Sequence, residues 1–194
     1  MSLTKQTVVN ASIGILNRDG IDGLSMRNLG KELNVKASAL YNHFVDKAEL
    51  CSAIAEDMCK RYEMAEPNTD KKAYLLEMNR SYRKMLLAVR DSPAIFEESV
   101  PNTPQRVEII RAICDAWLAF GIKPKNLMTA SNMVNNYVLS FVADEMRFSR
   151  QSPEDVDEFA KMLGPVEEMM FFGELDMDEQ FEYGLRVLLK GMEE

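Results

Sequence analysis

Residues 24–50, LSMRNLGKELNVKASALYNHFVDKAEL, spell two short helices joined by a tight turn, followed by the start of a third. Ser25 is a strong N-cap, and Leu24 and Leu29 flank it as a hydrophobic staple. Leu29 and Leu33 then face inward. Asn34 follows, a residue that tolerates the left-handed turn conformation usually left to Gly. A second short helix is expected from about Ala37 to Phe44. Asp46 opens the next one, with Glu49 at the capping-box position and Val45 and Leu50 as a second staple. Arg27, Lys36 and Lys47 all fall within one turn of an expected helix N-terminus, where the helix dipole favours anions. Three cations so placed point to one shared polyanion, and DNA phosphate is the obvious candidate. Helix, three-residue turn, helix is also the geometry that lays a second helix in the major groove.

Upstream, a helix is expected from about Thr4 to Asp19, with Val8, Ala11, Ser12, Ile15 and Leu16 on one face and Gly20 as its left-handed stop. Ala11, Gly20, Leu24-Ser25-Met26-Arg27 and the string Leu40-Tyr41-x-His43-Phe44-x-x-Lys47-x-x-Leu50 together resemble the DNA-binding head of the tetracycline-repressor (TetR) family of bacterial transcription regulators. By motif the resemblance covers about the first third of the chain. It implies an all-α protein: an N-terminal three-helix head with a helix-turn-helix, then a C-terminal helical domain for ligand binding and dimerisation. The expected units are residues 1–60 and 61–194.

The expected DNA-binding residues are Ser25, Arg27, Lys36, Ala37, Ser38, Ala39, Tyr41, Asn42, His43 and Lys47. Lys36 to Ala39 open the recognition helix and face base edges. Ala37 and Ala39 offer only methyl contacts, so hydrogen-bond readout falls to Lys36, Ser38, Asn42 or Arg27. Tyr41 has two readings, packing against helix 1 or contact to a phosphate or thymine methyl. For His43, the single histidine, the resemblance implies a backbone-phosphate contact.

Charge sets limits on this reading. The net charge is −8, unusual for a DNA binder. Residues 1–60 carry seven basic and seven acidic side chains, and residues 61–194 carry sixteen and twenty-four. A neutral head beside an acidic body must rely on a few well-placed contacts, with weak non-specific affinity. At 46% hydrophobic and 28% charged residues the balance is that of a soluble protein. No apolar run approaches a membrane span and no leader pattern precedes helix 1, so the expected location is cytoplasmic. Cys51, Cys59 and Cys114 lack metal-type spacing and fit a reducing compartment, with redox sensing as the alternative to buried thiols. No metal or cofactor is expected.

Beyond the head, Pro and Gly punctuate a run of helices. The expected spans are Asp46 to about Glu66, Asp70 to about Arg90, a short piece before Val100-Pro101, Pro104 to Phe120, Pro124 to about Arg150, a break at Gly164-Pro165, and Asp176 to Met192. Val107, Ile110, Cys114 and Trp117 form the expected stripe of the Pro104 helix. Phe181, Gly184, Leu185 and Leu188 mark the buried side of the last one. The resemblance implies that the last two long helices pair with their twofold mates. A homodimer also supplies two half-sites of a double-stranded operator, spaced roughly 34–36 Å apart.

An enzyme has little to work with here: one histidine excludes a di-iron bundle, and no phosphate-binding loop, dinucleotide turn or nucleophile elbow appears. A helical protein-binding adaptor, or an activator using the same head, is the alternative to a repressor. The family commonly binds a small effector in the body. Tyr82, Met85, Phe96, Trp117, Asn132, Asn136, Tyr137, Phe141 and Asp144 are the candidate pocket, and plain core is their other reading. The family's tetracycline site uses body histidines around a magnesium chelate, and this body has none. Tyr137, Phe141, Asp144 and Phe148 share a helix face and suggest a site for an apolar cation. The alternative pairs Asp144 with Arg147 or with an arginine of a second copy.

Overall fold

The computed structural model describes residues 3–152, 154–155, 158, 161–162 and 176–193. In chain order the helices are α1 (Lys5–Asp19), α2 (Met26–Glu32), α3 (Ala37–Leu40), α4 (Lys47–Cys59), α5 (Lys71–Leu87), α6 (Ser92–Glu98), α7 (Pro104–Phe120), α8 (Leu127–Phe148) and α9 (Met177–Gly191), with 3₁₀ turns at Ile21–Gly23 and Pro124–Asn126. No strand occurs among the described residues. None of their helices is long and apolar enough to cross a membrane. The break expected at Gly164-Pro165 lies outside the described residues.

The head folds as local rules require. Thr4 and Thr7 close a reciprocal box at the start of α1: Thr7 N donates to Thr4 Oγ1 at 3.1 Å and Thr4 N to Thr7 Oγ1 at 2.9 Å. Gly20 departs from the expected left-handed stop. Its φ of 76° is paired with ψ −171°, and a Cβ there would sit 2.6 Å from Asp91 Oδ2, so the glycine serves a close approach of the body. Asp46 caps α4, accepting from Glu49 N at 2.8 Å, and Glu49 accepts in turn from Val45 N at 2.7 Å. The expected Val45–Leu50 staple does not form, because Val45 is 78% exposed; the backbone bond to Glu49 fixes the chain entry without it.

α4 is the spine. It packs on α1 on one side and on α6 and α7 on the other. It ends at Cys59 rather than near Glu66. The chain turns off there, with Tyr62 Oη donating to Met78 O of α5 at 3.1 Å and Ala65 buried. α5 is central to the body, against α7, α8 and α9. One hydrophobic cluster runs from Val8 and Leu16 in the head through Leu50 and Ile54 to Trp117, Val138, Phe181 and Leu185. Each such side chain contributes about 1.5–3 kcal/mol by leaving water, so head and body share one core.

The faces shift where tertiary packing decides. α7 buries Ile109, Ala116 and Trp117 and exposes Ile110. Its apolar stripe is rotated from the expected Val107–Ile110–Cys114–Trp117 line because α4, α5 and α8 close on it from several sides. α9 buries Phe181, Leu185 and Leu189, with Gly184 and Leu188 half-buried. A Cβ on Gly184 would lie 2.2 Å from Tyr137 Oη, so glycine lets α9 meet the α8 tyrosine.

Candidate nucleic-acid interface and effector region

α3 is presented by a compact turn. Leu33 closes α2, Asn34 takes φ 53°, and Val35 N donates back to Gly30 O at 2.8 Å. A Cβ on Gly30 would lie 2.9 Å from Val35 O, so a side chain there would push the two helices apart. Leu29, Leu40 and Phe44 are fully buried beneath. Regular helix ends at Leu40, short of the expected Phe44, yet His43 N and Phe44 N both donate to Leu40 O at 2.9 and 3.1 Å, so the coil continues as a tightened last turn.

The surface of this unit is polar. Arg27, Lys36, Ser38, Tyr41 and Asn42 are exposed, while Ala37, Ala39 and His43 are half-buried. Tyr41 is 54% exposed, so its ring stands largely outside the core. Ser25 is engaged as the α2 cap, accepting from Asn28 N at 3.2 Å; an accepting hydroxyl still has its own proton to donate. Arg27, Lys31 and Lys36 carry no ion pair among the described residues. Lys47 differs: its Nζ lies 3.0 Å from Glu98 Oε2 of α6. The Cys51 thiol points at the same carboxylate at 3.5 Å. Burial, with Glu98, pushes the Cys51 thiol up to about 12, and burial pushes that of Cys59 up to about 11. Neither supplies the thiolate that redox chemistry needs at neutral pH.

Head and body are joined by a polar hinge that no local motif announces. Asp91, at φ 57° between α5 and α6, accepts from Ile21 N at 2.9 Å and from Arg150 Nη1 at 3.0 Å. Arg90 N donates to Asn17 Oδ1 and Arg90 Nη1 to Arg18 O, both at 3.0 Å. Burial acts to raise the Asp91 pKa, but the Ile21 N–H and Arg150 outweigh it and hold the carboxyl below its usual range.

In the body, the nine candidate pocket residues separate. Tyr82 and Phe96 meet edge to face at 5.9 Å, and Tyr82 Oη donates to Asn135 Oδ1 at 3.2 Å. Trp117 is buried and meets Phe120 at 6.0 Å. Met85 borders a different cavity of about 140 Å³, with Met58 and Val89. Asn132 and Asn136 are exposed on α8. Tyr137 and Phe141 form a second aromatic group with Phe181, at 5.8 and 5.3 Å from its ring.

That second group already holds a cation. Arg83 Cζ sits 5.0 Å from the Phe181 ring centre and 5.6 Å from that of Phe141. Its Nε and Nη2 clasp the Glu145 carboxylate at 2.8 and 2.7 Å, and Nη1 reaches Asp178 at 2.6 Å. The aromatic set read as a seat for an external cation is filled by the protein's own guanidinium. Asp144 pairs with Arg147 one turn on. Sequence reasoning missed Arg83, Glu145 and Arg106; the available signal for Arg83 was a cation beside the apolar stripe of α5.

Known proteins share this fold. Residues 8–54 match the family described as bacterial regulatory proteins, tetR family, and residues 64–194 match the tetracyclin repressor-like C-terminal domain. The chain is 32% identical to the tetracycline repressor protein class A from transposon 1721 of Escherichia coli, across 98% of this chain and 90% of that one. The structure of ActR from Streptomyces coelicolor in complex with actinorhodin superposes with a TM-score of 0.84 at 25% identity, covering 99% of this chain and 97% of that one. BioQ bound to its double-stranded DNA operator superposes with a TM-score of 0.74 at 27% identity, covering 98% of each chain. Matched along both its head and its body, this chain belongs to the TetR family of bacterial regulatory proteins.

Proposed function

We propose that the chain is a cytoplasmic, ligand-responsive repressor that binds a partly palindromic operator as a homodimer. Residues 1–60 act as the DNA-binding unit, and residues 61–194 bind effector and dimerise. The observation that carries this is the head surface: a short helix held out on a Gly30–Asn34 turn, with Arg27, Lys36, Ser38, Tyr41 and Asn42 exposed and the nearby Arg27, Lys31 and Lys36 in no ion pair among the described residues. The similar BioQ carries an operator duplex in its structure. Arg27, Lys47 and His43 address phosphates. Ser25, Lys36, Ser38, Tyr41 and Asn42 supply polar contacts, and Ala37 and Ala39 methyl contacts.

Dimerisation follows from what α8 and α9 leave outside. Met128 and Met133 on α8 and Tyr183 and Val187 on α9 are exposed, and large apolar groups gathered on long helices favour a second copy of the same surface. Effector binding is supported by the similar ActR, whose structure holds actinorhodin. A magnesium-chelated tetracycline is not the proposed effector here, since the body has no histidine.

DNase footprinting on the region upstream of the protein's own gene tests the reading. The expected result is protection of one palindromic segment with two half-sites about one or more helical turns apart. Uniform cleavage at saturating protein would overturn it.

A further inference from the structure

Arg106, half-buried, is placed unlike the buried Arg83. It leaves the first turn of α7, whose N-terminus is already capped: Glu56 accepts from Gln105 N at 3.1 Å and from Arg106 N at 3.3 Å. The guanidinium turns the other way. It stacks 4.7 Å from the centre of the Phe96 ring, donates through Nη2 to Phe96 O at 3.3 Å, and donates through Nη1 to Ser99 Oγ. Among the described residues no carboxylate forms an ion pair with it. Arg83, on α5, has two.

Those contacts do not explain a charge. Ser99 Oγ donates to Phe96 O at 3.0 Å on its own account, so the carbonyl is satisfied without the arginine. A guanidinium carries five N–H donors, and its described bonds use two nitrogens. The guanidinium is half-buried, and that partial burial holds its pKa below the usual arginine range. Such a group costs free energy unless something pairs with it. Aromatic walls stand beside it. Phe96 lies under the guanidinium and Tyr82 meets Phe96 edge-on. The Tyr82 hydroxyl donates to the exposed Asn135, and Arg106 is itself half-buried, so solvent reaches part of the group.

We propose that Arg106 anchors the anionic group of an aromatic effector, a carboxylate in the simplest case, with Phe96 and Tyr82 against its ring. This rests on the ligand-responsive reading above and names the effector's chemical class. A carboxylate matches the guanidinium fork and forms charge-assisted hydrogen bonds that a neutral amide cannot equal.

The test uses the full-length protein and three matched probes in isothermal titration calorimetry: naphthalene-2-carboxylate, naphthalene-2-carboxamide and 2-(aminomethyl)naphthalene. The expected result is carboxylate binding about tenfold or more tighter than amide, with the amine weakest. Arg106→Gln removes that preference and Arg106→Lys keeps part of it. A carboxylate that does not bind, that binds no tighter than the amide, or that keeps its advantage in Arg106→Gln would overturn the proposal. The ligand-free Tm of Arg106→Met supplies a second readout. Release of an uncompensated cation leaves it level or raises it, whereas a purely structural arginine would lower it. Operator binding by unliganded Arg106→Gln stays at the wild-type level. Loss of operator binding in the wild type itself would instead sink the DNA reading, so the two fail separately.

Discussion

The recognition turn and the body interior around Arg83 treat their cations in opposite ways. Around the recognition turn, Arg27 and Lys36 stand in solvent with no ion pair among the described residues. In the body, Arg80, Arg83, Lys84, Arg147, Arg150 and Arg186 each sit on at least one acid. Water solvates a surface cation well, so leaving it unpaired costs little and keeps it available for phosphate. An interior cation has no such solvent, and the fold must supply its counter-charge. Arg83 obeys that demand, whereas the half-buried Arg106 has no ion pair among the described residues. Exposed cations without an ion pair among the described residues also occur in the body, at Lys71, Arg111, Lys125 and Lys190. It is therefore the setting of Arg27 and Lys36 beside α3, and of Arg106 against Phe96, that points to an outside anion.

The strongest way to break this comparison is Arg83→Met. It strands Glu145 in a poorly solvated site, so a loss of about 3–5 kcal/mol is expected in urea denaturation, largely recovered by Arg83→Met with Glu145→Leu. A loss below about 1 kcal/mol would show that the interior tolerates unpaired charge. Next in size are Arg27→Ala, Lys36→Ala and Tyr41→Ala. Each is expected to weaken operator binding by about 1–3 kcal/mol with Tm unchanged, read by gel shift.

The hinge comes third. Asp91→Asn should cost about 1–2 kcal/mol at pH 7, since hydrogen bonds to a charged group are lost. The folded Asp91 carboxyl titrates below its unfolded value of about 3.9. Its contribution is therefore present above that pH and disappears as pH falls through the folded value. Urea midpoints of the wild type and Asp91→Asn should differ at neutral pH and converge in acid. The smallest effect concerns Lys47, whose exposed pair with Glu98 is worth about 0–1 kcal/mol. Freed by Glu98→Gln, Lys47 should bind phosphate slightly better. Lys47→Ala should cancel that gain and lower the salt slope by about one per half-site.

The same contrast explains what was legible beforehand. Head features follow from neighbours in sequence: Ser25 and Asp46 cap their helices, and Asn34 takes the left-handed turn. Helix ends set by Pro and Gly, such as Pro104 to Phe120, were equally readable. Features that depend on distant partners were not. α4 stops at Cys59 because Tyr62 and Ala65 pack onto α5, and Val45 faces solvent although its pattern suggests a staple. The clearest case is Asp144 against Glu145. One residue turns a helix by about 100°, and that step decides which acid meets Arg83 and which meets Arg147. Nothing local encodes it, nor that Arg106 has no ion pair among the described residues.

The central claim, that the exposed head cations serve DNA, is tested most directly by fluorescence anisotropy on a labelled duplex from upstream of the protein's own gene. Wild type is titrated beside Arg27→Ala/Tyr41→Ala, with a shuffled duplex at the same salt as control. The predicted result is wild-type binding at least about 10³-fold tighter to the upstream duplex than to the shuffled one, and loss of that preference in the double variant at unchanged Tm. Equal affinity of the wild type for both duplexes, or undiminished binding by the double variant, would contradict the account.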